Sequence, residues 1–217
     1  MRLYANNASY AGYDKNHKER EALDYYSTPT EEVENILNIL NLPFEDSVIL
    51  EPCAGAGHML QGIENYLQKT GQTPKEILAS DIQSRGNITK TPIWWGEDCD
   101  YLSDNYKFKK ADYIIMNPPY SVVEPFMMKA LSTADKGVVM LGRLQMLEGV
   151  KRYEKVFKDC PPTDVYVYID RIGCFKNGDT TQKQNSCQAY AWFYWDTSKT
   201  VQDGFPRLHW IHRVNSK

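Results

Sequence analysis

Short apolar runs alternate with helical-period segments along most of this chain. Ser47-Val48-Ile49-Leu50-Glu51, Glu76-Ile77-Leu78-Ala79-Ser80-Asp81 and Asp112-Tyr113-Ile114-Ile115-Met116 are compact apolar stretches that end in polar or turn-forming residues, as buried strands do. Between them, Met59, Leu60, Ile63 and Leu67 recur at helical spacing from about His58. Earlier, Thr28-Pro29-Thr30-Glu31 reads as a capping box with Pro at the first helical position, and Val33, Ile36, Leu37 and Leu40 then form one helical face. Further on, the pattern predicts a helix over Val122–Ala134, a strand over Gly137–Leu141 and a helix over Arg143–Lys158. Strands follow over Val165–Ile169 and Gln188–Trp195, with an edge strand at Leu208–Ile211. Strands and helices in alternation predict an α/β domain. Residues 1–24 are polar and rich in Asn, Lys and Glu, and read as an arm that covers the site. Neither a repeat nor a linker divides residues 25–217, so they are expected to form one domain.

Two strand ends carry unusual chemistry. Asn117-Pro118-Pro119-Tyr120 follows the third apolar run, so it sits where open α/β sheets place their ligands. The Asn117 amide oxygen can accept from an exocyclic amine. Pro118 and Pro119 stiffen the turn, having fixed φ and no N–H, and the Pro118 carbonyl can be held as a second acceptor. Tyr120 can lay its ring on a planar group. Upstream, Glu51-Pro52-Cys53-Ala54-Gly55-Ala56-Gly57 is a glycine turn between strand and helix, the layout of a nucleotide-type loop. Gly55 and Gly57 permit positive φ and close backbone approach. A dinucleotide fingerprint would place a third glycine where Leu60 stands, and Glu51 would repel a pyrophosphate. An acid there suits a ligand with an ammonium group and no phosphate, and S-adenosylmethionine (SAM) is such a ligand.

Two more acids extend the pattern. Asp81 closes the second strand and can accept both hydroxyls of a ribose, with Ile82 beside it to pack on adenine. In Gly96-Glu97-Asp98-Cys99-Asp100-Tyr101-Leu102, either Asp98 or Asp100 can accept from the adenine amine. Any one of these carboxylates is equally at home in a solvated loop. Three at successive strand ends, with a glycine loop at the first, are harder to explain that way.

The chain here resembles SAM-dependent N6-adenine DNA methyltransferases. Glu51–Gly57 is similar to their SAM loop, Asn117–Tyr120 to their catalytic loop and Asp100-Tyr101-Leu102 to their Asp-Phe-Leu adenine element, which favours Asp100 over Asp98. Tyr25-Tyr26-Ser27-Thr28-Pro29 resembles the segment that contacts the methionine end of SAM. The order of these motifs is that of the gamma group. Leu147-Glu148-Gly149, Arg152-Tyr153, Lys176-Asn177-Gly178-Asp179 and Ala191-Trp192-Phe193-Tyr194-Trp195 are similar to small phage and prophage members. The resemblance implies a class I SAM-methyltransferase (Rossmann-like) fold: a mostly parallel seven-stranded sheet, an antiparallel C-terminal hairpin and helices on both faces. It implies in-line methyl transfer from SAM to a flipped adenine, with Tyr26, Thr28, Pro29, Glu51, Pro52, Cys53, Gly55, Gly57, Asp81, Ile82, Asp98 or Asp100, Tyr101 and Asn117 at the cofactor. Release-factor glutamine methyltransferases and some RNA adenine methyltransferases share Asn-Pro-Pro-Tyr, so RNA adenine and protein glutamine stay open as targets, as does a SAM- or nucleic-acid-binding subunit without turnover. Gamma enzymes usually add a separate target-recognition domain, and too little chain follows Gly142 for one. That leaves room for a homodimer or an accessory specificity subunit.

Charge and cysteines narrow the picture. Residues 1–108 hold 9 Lys+Arg against 17 Asp+Glu, a balance of −8, while residues 109–217 hold 16 against 11, a balance of +5. The basic excess thus follows the catalytic loop, where a nucleic-acid surface is wanted. Arg143, Arg152, Lys176 and Lys183, on the predicted helix and on the polar Arg171–Cys187 loop, are the candidate target contacts beside Tyr120. Cytosine C5 chemistry requires a thiolate on the base, and Tyr120 occupies the catalytic-loop position instead. The five cysteines contain no Cys-x-x-Cys pair, which argues against a disulfide framework or zinc ribbon and fits a reducing cytoplasm. No metal site is expected at His209 and His212, and no apolar run reaches membrane-span length.

Overall fold

A computed structural model describes residues 26–83, 93–96, 99–108, 110–176, 188–199 and 205–214. An eight-stranded sheet, in the order β10-β7-β9-β6-β5-β2-β3-β4, forms the middle layer. Five strands, β2 (Val48–Glu51), β3 (Glu76–Ser80), β4 (Ile93–Gly96), β5 (Ala111–Met116) and β6 (Ala134–Arg143), run parallel to one another. β9 (Tyr190–Asp196) inserts antiparallel between β6 and β7 (Asp164–Tyr168). The edge strand β10 (Arg207–Ile211) lies parallel to β7. The predicted antiparallel pair is therefore β7 and β9, and the suggested edge strand makes an eighth. A separate two-residue ladder joins β1 (Tyr26–Ser27) to β8 (Phe175–Lys176).

Helices cover both faces because successive residues of each central strand point to opposite sides. Ile49, Ile77, Ile115 and Val139 pack with Val33, Ile36 and Leu37 of α1 (Thr30–Leu40) and with Met59 and Ile63 of α2 (His58–Thr70). Leu50, Leu78, Ile114 and Val138 pack with Phe126 and Met127 of α3 (Val123–Thr133). Val156 and Phe157 join them from α4, which runs over Val150–Arg152 and continues as a π-helical turn, Tyr153–Phe157. The chain steps outward from β2 to β4 and returns to β5 on the other side of β2. The crevice above the carboxyl ends of β2 and β5 is thus a topological switch point.

Two expected elements came out differently. The strand predicted at Gly137–Leu141 extends over Ala134–Arg143, so Arg143 ends a strand instead of opening a helix. The helix expected from Arg143 to Lys158 is broken into a 3-10 turn, Leu144–Leu147, and α4. Gly149, at φ 122°, sits at the break, a backbone conformation that few side-chain-bearing residues adopt.

Candidate active site

The glycine loop leaves β2 and enters α2 through two left-handed glycines, Gly55 at φ 55° and Gly57 at φ 85°. Asp81, at the end of β3, pins this loop: its Oδ2 accepts the Gly55 N–H at 2.8 Å, and its Oδ1 accepts the Gln83 N–H at 2.9 Å. The acid singled out for a ribose thus also shapes the loop beside it, which spacing along the chain did not reveal. Glu51 lies at the root of the loop, 2% exposed. It takes a hydrogen bond from the Leu60 N–H, one of the orphan donors in the first turn of α2. Burial, and secondarily the charge of Asp81, push its carboxyl well above the usual carboxylate range. Its Oε2 has no hydrogen-bond partner among the described residues. Burial, together with Glu51 and Asp81, also raises the Cys53 thiol, so it stays protonated and is a poor nucleophile.

Asn117 is held by the segment that leads into α1. Its Nδ2 donates to the Tyr26 carbonyl and to Thr28 Oγ1, both at 3.0 Å. A carbonyl can only accept, so the amide orientation is fixed. The Asn117 Oδ1 is left buried with no partner among the described residues. The capping box expected at Thr28 is corrected here. Pro29 occupies the N-cap position of α1 without a side-chain cap, because the Thr28 hydroxyl is engaged by Asn117. A small cleft opens between the Tyr26–Thr28 segment, Glu51, Cys53, the start of α2 at His58 and Met59, and Asn117. His58 was not anticipated as a lining residue, although its place just after the glycine loop was the available signal. Burial lowers its pKa.

Tyr120 begins a 3-10 turn directly after Pro119, and Pro118 is buried. The Tyr120 ring lies 5.1 Å from that of Tyr26, and its hydroxyl donates to the Tyr190 hydroxyl at 3.0 Å. The Arg143 guanidinium carbon sits 4.0 Å from the Tyr120 ring centroid. β6 therefore delivers Arg143 to the catalytic loop.

The remaining candidates divide. Asp100 is half-buried and accepts the Leu102 N–H at 2.9 Å, while the neighbouring Cys99 N–H bonds the Asp81 carbonyl at 2.9 Å. The Asp100 turn is thereby tied to the end of β3, near half-buried Ile82. Tyr101 is 2% exposed and packs edge-on to Tyr106, so its ring belongs to the core. Arg152 turns onto its own loop, donating from Nη1 to the Met146 and Glu148 carbonyls at 2.8 Å. Lys155 pairs with Glu124 and Lys158 with Glu154, which reduces the basic face expected of this segment. Lys176 is brought opposite Tyr26 in the β1–β8 ladder. Asp98 and Lys183 lie outside the described residues.

An acid-lined cleft with acceptors that have no partner among the described residues, at a switch point and beside a glycine loop, suits a cationic ligand that carries no phosphate. The fold is that of class I SAM-dependent methyltransferases. A candidate enzyme of that class from Listeria monocytogenes is similar at TM-score 0.59 and 13% identity, over 94% of this chain and 68% of that one. A candidate RNA methyltransferase from Pyrococcus horikoshii is similar at TM-score 0.58 and 17% identity, over 81% of this chain and 88% of that one. The type IIG restriction endonuclease BpuSI is similar at TM-score 0.59 and 16% identity, over 85% of this chain but 27% of that one. No family model matches the sequence, and no curated protein sequence matches it. At such identities the likeness defines the fold and leaves the substrate to the site.

Proposed function

We propose that this chain methylates the exocyclic N6 amine of adenine in DNA, with SAM as methyl donor. The observation that carries the reading is the Asn117 amide: its nitrogen is anchored by Tyr26 and Thr28, and its buried oxygen has no partner among the described residues. An aryl amine is a weak nucleophile because its lone pair is delocalised into the ring. Acceptance of its two N–H groups by Asn117 Oδ1 and the Pro118 carbonyl localises that pair on nitrogen. SAM, when bound, would supply an electrophilic methyl group, the N–C bond forming as the S–C bond breaks with its electron pair left on sulfur and the amine proton lost to solvent. The chain's contribution is positioning and preorganised dipoles.

In this reading the residues lining the cleft hold the methionine end of the cofactor, and the motifs beyond its lining supply the ribose and adenine contacts. Glu51 faces the ammonium, the Tyr26–Pro29 segment and the Pro52–Gly57 loop border the methionine end, Asp81 receives the ribose, and Ile82 and Asp100 flank the adenine. DNA is favoured by the order and residues of the motifs, by the basic balance after the catalytic loop and by the similarity to a restriction endonuclease. Tyr120, Arg143, Lys176 and Lys183 are assigned to the target.

The test is nucleoside mass spectrometry after incubation with SAM and unmethylated plasmid DNA, with cellular RNA in parallel. N6-methyldeoxyadenosine from the wild type is expected. Loss of one preorganised transition-state contact costs about 10²–10³ in turnover, so Asn117→Ala should lose that much while still binding SAM. Product in RNA alone would move the reading to RNA adenine, and normal turnover by Asn117→Ala would refute the role of the amide.

A further inference from the structure

Three large apolar side chains stand in solvent just beyond β6: Leu147 is 40% exposed, Val150 80% and Tyr153 53%. Their support is rigid. Met146 is buried at the root of the turn, Val156 and Phe157 anchor the far end in the core, and Arg152 clamps the Met146 and Glu148 carbonyls. Gly149 at φ 122° turns the chain so that Val150 leads the projection. The projection is tied to the catalytic loop at one end and to α3 at the other. Arg143, at its start, covers Tyr120, and Lys155, at its end, bonds Glu124 at 2.7 Å in the first turn of α3. Residues 143–159 carry five cations (Arg143, Lys151, Arg152, Lys155, Lys158) and three carboxylates (Glu148, Glu154, Asp159). With Arg152 clamping its own loop and Lys155 and Lys158 paired, the apolar tip stands in a mildly basic surround.

We propose that Leu147, Val150 and Tyr153 form a wedge that enters a DNA duplex beside the target adenine and fills the space the base leaves when it swings into the cleft. This rests on the reading of the site as a DNA methyltransferase. A base inside a duplex is out of reach of Asn117 and must be unstacked and unpaired. Proteins that open base steps do so with apolar side chains set among cations that hold the phosphates. A rigid apolar tip pays little ordering entropy on insertion, and its exposure would otherwise be an association liability. A protein partner on the same patch is the competing occupant, and it predicts no dependence on strandedness.

The experiment uses the full chain with Leu147→Ser and Val150→Ser combined, and compares initial methylation rates on plasmid duplex and on the same DNA heat-denatured to single strands. A single strand needs no extrusion from a helix, so the variant should lose about tenfold or more on duplex and remain within about twofold of wild type on single strands. Val150→Met, which keeps an apolar tip, should retain duplex activity. Equal loss on both substrates, or no loss on duplex, overturns the wedge while leaving the methyltransferase reading intact. A wild-type protein that methylates neither form of DNA removes both.

Discussion

Glu51→Gln should strengthen the fold and weaken the cofactor site at once. The wild-type carboxyl is buried, bonded to the Leu60 N–H through one oxygen and without a described partner on the other, and its pKa is raised by burial first and by Asp81 second. A raised folded-state pKa means that the native protein holds this proton more tightly than the unfolded chain does. The stability it carries is complete below the unfolded carboxylate pKa and is lost as pH rises toward the folded value. Glutamine has no proton to lose and its oxygen can keep the Leu60 bond. Wild-type and variant apo stabilities should therefore differ little near pH 4.5 and diverge in the variant's favour as pH rises to 8. Each unit of pKa elevation traversed is worth about 1.4 kcal/mol. Cofactor affinity should move the other way. Removing one partner of a buried charge pair costs about 2–5 kcal/mol, or roughly 30- to 5,000-fold in Kd. Urea melts of the apo protein across pH, paired with calorimetric titration of SAM, measure both. Parallel pH slopes for the two proteins, or an unchanged SAM Kd, would refute the account of Glu51 as an uncompensated acid awaiting a cation.

Two further substitutions probe how the site is held. The Tyr168 hydroxyl donates to Glu32 Oε2 at 2.9 Å and accepts from Trp192 Nε1 at 2.8 Å, all three residues being buried. Tyr168→Phe keeps the volume but strands an acceptor and a donor, so about 2–4 kcal/mol should be lost in a denaturant melt followed by tryptophan fluorescence. Gly62 lets α1 approach α2, since a Cβ there would meet Val33 Cβ at 2.5 Å and the Thr30 carbonyl at 2.7 Å. Gly62→Ala gains about 1 kcal/mol of helix propensity but must displace backbone. A net loss of about 1–2 kcal/mol is expected by the same melt, with weaker SAM binding as α1 carries Thr28 away from Asn117.

The central layer was legible because its strands are buried on both faces and therefore read as unbroken apolar runs between turn residues. β2, β3 and β5, and the helical faces of α1 and α2, fall close to where the pattern put them. The misread stretch, Arg143–Lys158, mixes cations with Met146, Val156 and Phe157 at a period close to helical, and only the sheet pairing of Arg143 with Tyr190 shows that the strand runs on. Motifs located the site but could not show how its members depend on one another. The Asp81–Gly55 bond, the capture of the Thr28 hydroxyl by Asn117 and the burial of Tyr101 each join residues distant in sequence or turn a side chain inward. Glu32 illustrates the same limit. It precedes the apolar face of Val33, Ile36, Leu37 and Leu40 and nothing in the sequence singles it out, yet it is 3% exposed.

The partners of Glu32 set an order on how the molecule can be completed. Its Oε1 accepts the Val214 N–H at 2.8 Å, and nearby the Asn35 Nδ2 reaches the His212 carbonyl at 3.3 Å. The first helix of the sheet domain is thus fastened by the last described residues, 182 positions later for Glu32 and Val214. On a ribosome, α1 emerges early but keeps a buried acid without its backbone donor until translation has passed Val214. α1 is also the helix that Thr28 leads into, so the Asn117 amide is locked late. A stop codon that removed β10 and the residues after it would leave Glu32 without that donor and loosen the helix that Thr28 leads into, weakening a site whose catalytic loop lies far upstream in the chain.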